Sequence, residues 1–329
     1  FNDTATTDIY TRPWSSAASD VYKRQLHHDN CLRHDPGRGQ PERVERVISV
    51  LDAVTGLPET EALPAPRATL DQIQRVHPIE YWDTLVELEP DESPESHRVA
   101  LDSDTFMSAG TIDATLRGSG AACFALEQIS AGKAKNAYCV IRPPGHHAMQ
   151  SIAMGFCLLN HIAIAARQAQ AMQMAEKVAI IDFDVHHGNG TQAIFESSPE
   201  VLFVSSHQMP LYPGTGYADE TGCGNVHNLP LSPGDGSAEF RAAWAGRGLP
   251  ALEKFGPDLV LISAGFDAHQ RDPLGQLELQ DEDYGWITSE ICAIADSACG
   301  GRVVSLLEGG YDLEALATAS TEHVRAMTA

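Results

Sequence analysis

Residues 180–192 read IIDFDVHHGNGTQ, and the reading of this stretch decides the fold. An apolar run ends in Asp182-x-Asp184-x-His186-His187 and passes at once into Gly188-Asn189-Gly190. Alternate residues of a strand share one face, so a strand through this segment would aim Asp182, Asp184 and His186 the same way. Open α/β sheets gather their chemistry at the C-terminal ends of their strands. A carboxylate and an imidazole two residues apart at such an end make half of a metal site. Taken alone, a D-x-H segment is more often a strand running into a polar turn, so the weight falls on the rest of the chain.

Three other segments repeat the arrangement. Arg142-Pro143-Pro144-Gly145-His146-His147-Ala148 follows an apolar run at 137–141. Ser263-Ala264-Gly265-Phe266-Asp267 follows one at 259–262, and Leu306-Leu307-Glu308-Gly309-Gly310-Tyr311-Asp312 follows one at 303–305. Four strand ends would therefore deliver His-His, Asp-x-His, Asp and Tyr.

Around them, short apolar runs alternate with helical patterns. Strands are expected at 137–141, 178–184, 201–205, 259–263 and 303–307. Helices are expected at 43–54, 71–87, 110–130, 156–174, 190–197, 283–298 and 313–327. Such alternation implies βαβ units, that is, an α/β fold with a mostly parallel open sheet and helices on both faces. Residues 208–236, rich in Gly and Pro, read as a long loop that shapes the mouth of the site. No repeat or low-complexity tract interrupts residues 26–329, which read as one domain.

Composition narrows the function. Of 329 residues, 43% are hydrophobic, enough for a full core, and no apolar run is long enough to span a membrane. A formal charge of −23, from 45 acidic and 22 basic residues, argues against direct nucleic-acid binding. It permits attraction of cationic substrates such as lysine-rich tails or polyamines, and serves solubility equally well. The seven cysteines are odd in number and lack a C-x-x-C, which speaks against a disulfide framework or structural zinc knuckle and for reduced thiols in a cytoplasmic protein. Cys157 reads as a small buried hydrophobe. A homo-oligomer is left open.

Residues 1–25 have a different character. Residues 2–11, NDTATTDIYT, read like translated sequencing adapter, and the following PWSSAASDVYKRQ continues in the same manner. We read 1–25 as a non-native segment, with Leu26 just inside the natural domain. The absence of an apolar core in this segment argues against a signal peptide.

The strings RPPGHHA, GFCLLNHIAIAA, DFDVHHGNGTQ, YPGTG, SAGFDAHQRDPLGQL and LEGGYD, in this order, resemble the histone deacetylase superfamily of zinc amidohydrolases, most like its class II and bacterial branches. The resemblance implies an arginase/deacetylase-like fold. It assigns Asp184, His186 and Asp267 as metal ligands, the same three that the strand ends suggest. Three protein ligands leave a position open for water, as hydrolysis requires. Two carboxylates and one imidazole suit Zn2+, with Fe2+ or Co2+ as alternatives. A two-metal, arginase-like site would want D-x-H-x-D, and position 188 is Gly, so a single ion is expected.

By the same resemblance, His146 and His147 form the proton-transfer pair, backed by Asp182 and Asn189 respectively. An Asp partner raises imidazole basicity more than an Asn does, so the two histidines should differ in pKa. Tyr311 is expected to donate a hydrogen bond to the substrate carbonyl as charge develops there. The acyl-lysine tunnel should be lined by Gly155, Phe156 and Tyr212, a position where relatives commonly carry Phe, and Asp104 matches a rim residue that grips substrate backbone. Asp182, Asp184, His186, Ser205 and Ser206 match a structural K+ site. His161, His187, His207 and His227 are assigned to turn or core packing. Leu274 in DPLGQL stands where polyamine-selective relatives carry Glu, as DPEGQ, and so points to acyl-lysine in a peptide or protein. The expected activity is hydrolysis of that acyl amide, releasing acetate and free lysine. Deacetylation of acetylpolyamines or other small amides is the alternative, and a non-catalytic binder with the same fold a further one.

Overall fold

In the computed structural model, which describes residues 23–92 and 98–329, strands and helices alternate along the chain. The first part runs β1 (Lys23–His27), α1 (Val44–Val54), β2 (Thr60–Pro64), α2 (Leu70–Ile73), α3 (Ile79–Leu88), β3 (Val99–Ala100), β4 (Phe106–Met107), α4 (Thr111–Ser130) and β5 (Asn136–Cys139). The second runs α5 (His161–Ala171), β6 (Val178–Asp182), α6 (Asn189–Phe195), β7 (Val201–Gln208), β8 (Val226–Leu231), α7 (Ser237–Ala243), α8 (Leu249–Phe255), β9 (Leu259–Ala264), α9 (Asp281–Cys299), β10 (Val303–Leu307) and α10 (Leu313–Thr328).

Among the described residues, eight strands form one parallel sheet in the order β2-β1-β5-β10-β9-β6-β7-β8. Strands β3 and β4 make a separate antiparallel ribbon. The central strands are mostly apolar because both faces are covered. Ile180, Leu261 and Val304 face one core with α4 and α5, whereas Ile181, Ile262 and Leu307 face the other with α1, α9 and α10. Period-two alternation thus divides each strand between two cores. No helix among the described residues is long and apolar enough to cross a membrane.

The fold class agrees with the sequence reading, and the departures have physical causes. The helix expected over 71–87 breaks into α2 and α3 at His77-Pro78, since proline removes a donor and disfavours helix in the residue before it. The expected loop 208–236 contains β8. Its Pro230 reads as a strand breaker, yet β8 pairs only with β7 at the sheet edge, where a missing donor is tolerated. Helices α7 and α8, joined by a π-helical turn at Trp244–Gly248, were not anticipated. The helix expected from 156 starts only at His161, after Asn160, whose side chain accepts the Ala163 N–H as its cap.

The boundary drawn after Gln25 falls inside β1. Residues 1–22 lie outside the described residues, but Lys23, Arg24 and Gln25 pair in parallel with Thr60, Glu61 and Ala62 on one side and Asn136, Ala137 and Tyr138 on the other. Gln25 Nε2 also donates to Val54 O at 2.8 Å. Strand pairing is a backbone interaction, so the charged string KRQ gave little sign of it.

Candidate active site

The four strand ends singled out above are neighbours: β5, β10, β9 and β6 lie side by side in the sheet. At a strand spacing of about 4.8 Å, their loops converge on one place.

Asp182 closes β6, and the chain then leaves the sheet. Asp182 Oδ1 accepts the N–H of Asp184 at 3.1 Å, and Asp184 Oδ1 accepts that of His186 at 2.9 Å. These side-chain-to-backbone bonds two residues on form turns in place of a strand. The strand expected to reach 184 therefore ends at 182, and Asp184 and His186 meet through a turn rather than through strand alternation. Asp267, beyond β9, is held by the Val185 N–H, 2.8 Å from its Oδ1. His186 Nδ1 lies 3.1 Å from Asp184 Oδ1 and 3.2 Å from Asp267 Oδ2. One donor atom from each of the three falls within 4.8 Å of the others, and all three side chains are buried. Gly309 donates its N–H to Asp184 Oδ2 at 2.8 Å, and a Cβ there would strike both carboxylates, so only glycine fits.

This donor set fits a divalent ion. Two buried carboxylates so close together need a compensating cation. Two carboxylate oxygens and one imidazole nitrogen, all on buried side chains, suit Zn2+, and Fe2+ or Co2+ also.

His146 and His147 follow β5. His146 Nδ1 donates to Asp182 Oδ2 at 2.9 Å, and His147 Nδ1 donates to Asn189 Oδ1 at 2.7 Å. Burial lowers the pKa of both. At His146 the charges of Asp182 and Asp184 overcome it and hold the pKa well above the usual histidine range. At His147 the neutral Asn189 offers little compensation, the neighbouring His146 adds repulsion, and the pKa falls well below that range. The two shifts thus run in opposite directions.

Tyr311 follows β10 and is buried. Its ring meets Phe156 edge-on at 6.0 Å and lies under the Arg46 guanidinium, whose Cζ is 4.8 Å from the ring centre. Burial raises the phenol pKa well above its ordinary value, and the carboxylates of Asp267 and Asp184 add to this against the charge of Arg46, so the hydroxyl keeps its proton and can donate.

Of the residues expected to line the tunnel, Gly155, Phe156 and Tyr212 lie against these groups. Gly155, with φ at 57°, packs so near the His147 ring that a side chain would collide with it. Phe156 donates its N–H to Thr105 Oγ1 at 3.0 Å, and that hydroxyl donates to Asp104 Oδ1 at 3.0 Å, which ties Asp104 to the Gly155-Phe156 loop. Tyr212 is 38% exposed and sits edge-on to His147, with ring centres 5.2 Å apart. Leu274 is half-buried, beside Gly275, where a Cβ would crowd Asp267 O and the Val185 side chain.

For the K+ set, Ser205 pairs with Asp182 across β6 and β7. His207 Nε2 lies 2.9 Å from Gly216 O and Nδ1 lies 2.9 Å from Ser205 Oγ. A carbonyl only accepts, so Nε2 carries the hydrogen, Ser205 donates to Nδ1, and the serine oxygen keeps its lone pairs. Strand alternation turns the Ser206 side chain to the opposite face, so Ser206 could offer a cation only its main chain. Of the unassigned histidines, His187 is held by Thr215 Oγ1 and Gln192 Oε1, both at 2.8 Å, and His161 by Ser119 Oγ and Pro143 O. His227 is half-buried on β8.

Three residues escaped the sequence reading. Arg46 is fully buried and donates through Nε to Gly310 O at 2.5 Å and through Nη2 to Glu308 O. Glu308 Oε2 accepts the N–H groups of Gly145 and His146, at 2.7 and 3.2 Å, and Oε1 accepts Ser263 Oγ at 3.0 Å, joining three of the strand-end loops. Asp272 accepts the N–H of Tyr311 at 2.7 Å. Glu308 lies within a quoted motif, and Glu42, just before α1, pairs with Arg46 four residues on, but nothing local marks any of them as buried.

A family profile described as the histone deacetylase domain matches residues 38–327. The chain belongs to the histone deacetylase family. Family relatives include a probable deacetylase of Archaeoglobus fulgidus, 38% identical over 87% of this chain and 80% of that one. The type-2 histone deacetylase 2 of Dictyostelium discoideum is 34% identical over 88% of this chain, which spans only 20% of that longer protein. The crystal structure of the HDA15 HD domain superposes with a TM-score of 0.86 at 34% identity, covering 94% of this chain and 88% of that one. Both of these relatives are deacetylases by name.

Proposed function

We propose that this protein hydrolyses the acyl amide of acyl-lysine in peptides or proteins with one divalent ion, zinc first, held by Asp184, His186 and Asp267. The observation that carries the reading is the convergence of a buried three-ligand cluster, a histidine pair with unlike partners and a protonated tyrosine at four adjacent strand ends. A bound ion supplies Lewis acidity toward the substrate carbonyl and lowers the pKa of water. His147, with Nδ1–H given to Asn189, presents a free lone pair at Nε2 and takes the proton of the attacking water. It then passes that proton to the leaving lysine amine. His146, fixed by its hydrogen bond to Asp182, stands beside the negative charge that develops between these events. Tyr311 donates its hydroxyl to the carbonyl oxygen as that oxygen becomes an oxyanion. Phe156 and Tyr212 line the passage for the lysine methylenes, and Asp104 receives substrate backbone N–H groups at its rim.

Deacetylation of small acetylated amines is the second reading, favoured by the −23 charge. Leu274 weighs against it: an apolar side chain offers no partner to a distal ammonium, and charges farther away than about 8–10 Å are screened. The test pairs elemental analysis with turnover of an acetyl-lysine peptide and of acetylspermidine. We expect one transition-metal ion per chain, faster peptide turnover, and loss of both metal and activity in Asp267→Ala. Two metals per active chain would defeat the mononuclear reading, and turnover of neither substrate by the metal-loaded protein would defeat the enzymatic one.

A further inference from the structure

The loop between β9 and α9 carries a buried carboxylate that the chemistry above does not use. Asp272 is 7% exposed. Its Oδ2 accepts the N–H of Tyr311 at 2.7 Å and that of Asp312 at 3.3 Å, and its Oδ1 accepts the N–H of Leu274 at 2.9 Å. One side chain therefore grips the backbone of the tyrosine and the backbone of Leu274, the residue read above as favouring acyl-lysine. The grip is reinforced next door, where Arg271 reaches Asp312 at 3.6 Å and Glu314 at 3.2 Å, at the start of α10.

Tyr311 needs such a hold. It follows Gly309-Gly310, and Gly310 has φ at 123°, a conformation that places few restraints on what comes next. Two glycines allow the chain to pass close to Asp184 and Asp267, but they leave the direction of Tyr311 to be set from outside. Arg46 fixes the Gly310 carbonyl from one side. The Tyr311 N–H is fixed by Asp272 alone of the side chains described.

We propose that Asp272 is a positioning residue for the Tyr311 hydroxyl, and that the same carboxylate couples Tyr311 to Leu274. The proposal rests on the reading of Tyr311 as the group that donates to the substrate carbonyl. Asp272→Asn keeps the size but has one acceptor oxygen, so it cannot serve both sides. We expect kcat on an acetyl-lysine peptide to fall about tenfold, with KM within about twofold and metal content unchanged, since small misplacements of a reacting group are costly. In a Tyr311→Phe background the same substitution should cost less than about twofold, because the hydroxyl it positions is gone. An equal loss in both backgrounds would mean that Asp272 is merely structural. If the Asn variant does not fold, Asp272→Glu, which keeps the charge on a longer arm, should show the same dependence on Tyr311. Peptide-resolved hydrogen exchange provides a readout free of activity: residues 309–313 should exchange faster in the variant while β6 and β9 stay protected. Unchanged exchange there would overturn the proposal. Absence of turnover in the parent protein would instead count against the functional reading, and the exchange measurement would still decide the role of Asp272.

Discussion

The imidazoles of His146 and His147 lie 4.1 Å apart, ring centre to ring centre, and differ chiefly in what stands behind them. One Nδ1 faces the carboxylate of Asp182 and the other the amide of Asn189. The Asn189 partner leaves the second as the neutral base at neutral pH. Asn189→Asp would place a charge behind His147 and raise its pKa. A base must be unprotonated to act, so the acidic limb of the kcat/KM profile should move to higher pH. A limb that stays in place would remove His147 from the role of base.

Tyr311→Phe removes one oxyanion donor and leaves the packing of the ring. Turnover should fall about a hundredfold or more, the cost of losing such a donor elsewhere, with metal content unchanged. Retention of most of the turnover would assign the carbonyl contact to another group.

Leu274→Glu places a carboxylate where the parent offers only apolar contact. The ratio of kcat/KM for an acetyl-lysine peptide over acetylspermidine should exceed one in the parent and drop in the variant. The drop depends on desolvation: an exposed pair is worth about 0–1 kcal/mol, a buried one more. No shift in this ratio would take Leu274 out of substrate selection.

Buried neutral histidines should make the fold acid-sensitive. Burial lowers His77 and His161 to about 4 and His323 to about 3, and each ring is fully enclosed. At His77 a proton on Nε2 would break the bond it accepts from the Asn160 N–H, at 2.9 Å. The unfolded chain binds protons near pH 6.5 and the folded one does not, so stability is full above that pH and is lost as pH falls toward 4. Each such residue contributes a slope of about 1.4 kcal/mol per pH unit within that window. The urea midpoint should drop between pH 7 and pH 5, and His323→Gln, which can still meet Thr288 and Ser305, should lessen the drop. A midpoint independent of pH would show these rings to be charged in the fold.

The N-terminal boundary is testable by two deletions. Removing residues 1–22, read as foreign, should leave the melting temperature nearly unchanged. Removing 1–25 should lower it by several degrees, because Lys23, Arg24 and Gln25 supply β1 with pairing on both sides. Equal melting temperatures for the two would show that β1 adds little to the sheet.

How much of this protein could be read from its sequence depends on how local each feature is. The α/β class, the central strands and the ligand cluster were legible. Apolar runs such as 259–262, with Asp or His just beyond them, announce buried parallel strands and what their ends carry. Strands β1, β2 and β8, the last two at the sheet edges, were not, because strand pairing is made by backbone atoms and leaves side chains such as those of Lys23, Glu61 and Pro230 free to be polar or proline. The turn after Asp182 was misread as strand, since the D-x-D-x-H spacing suits both strand alternation and carboxylates that accept N–H bonds two residues on. Tertiary structure alone decided that β5, β10, β9 and β6 are neighbours, which brings His146, Tyr311, Asp267 and Asp184 to one site from positions far apart in the chain. It alone decided also that Asp272 holds Tyr311 and that Arg46 holds Gly310. Such contacts join segments distant in sequence, and whether a carboxylate or guanidinium is buried against a backbone group depends on which loops the sheet order places beside it.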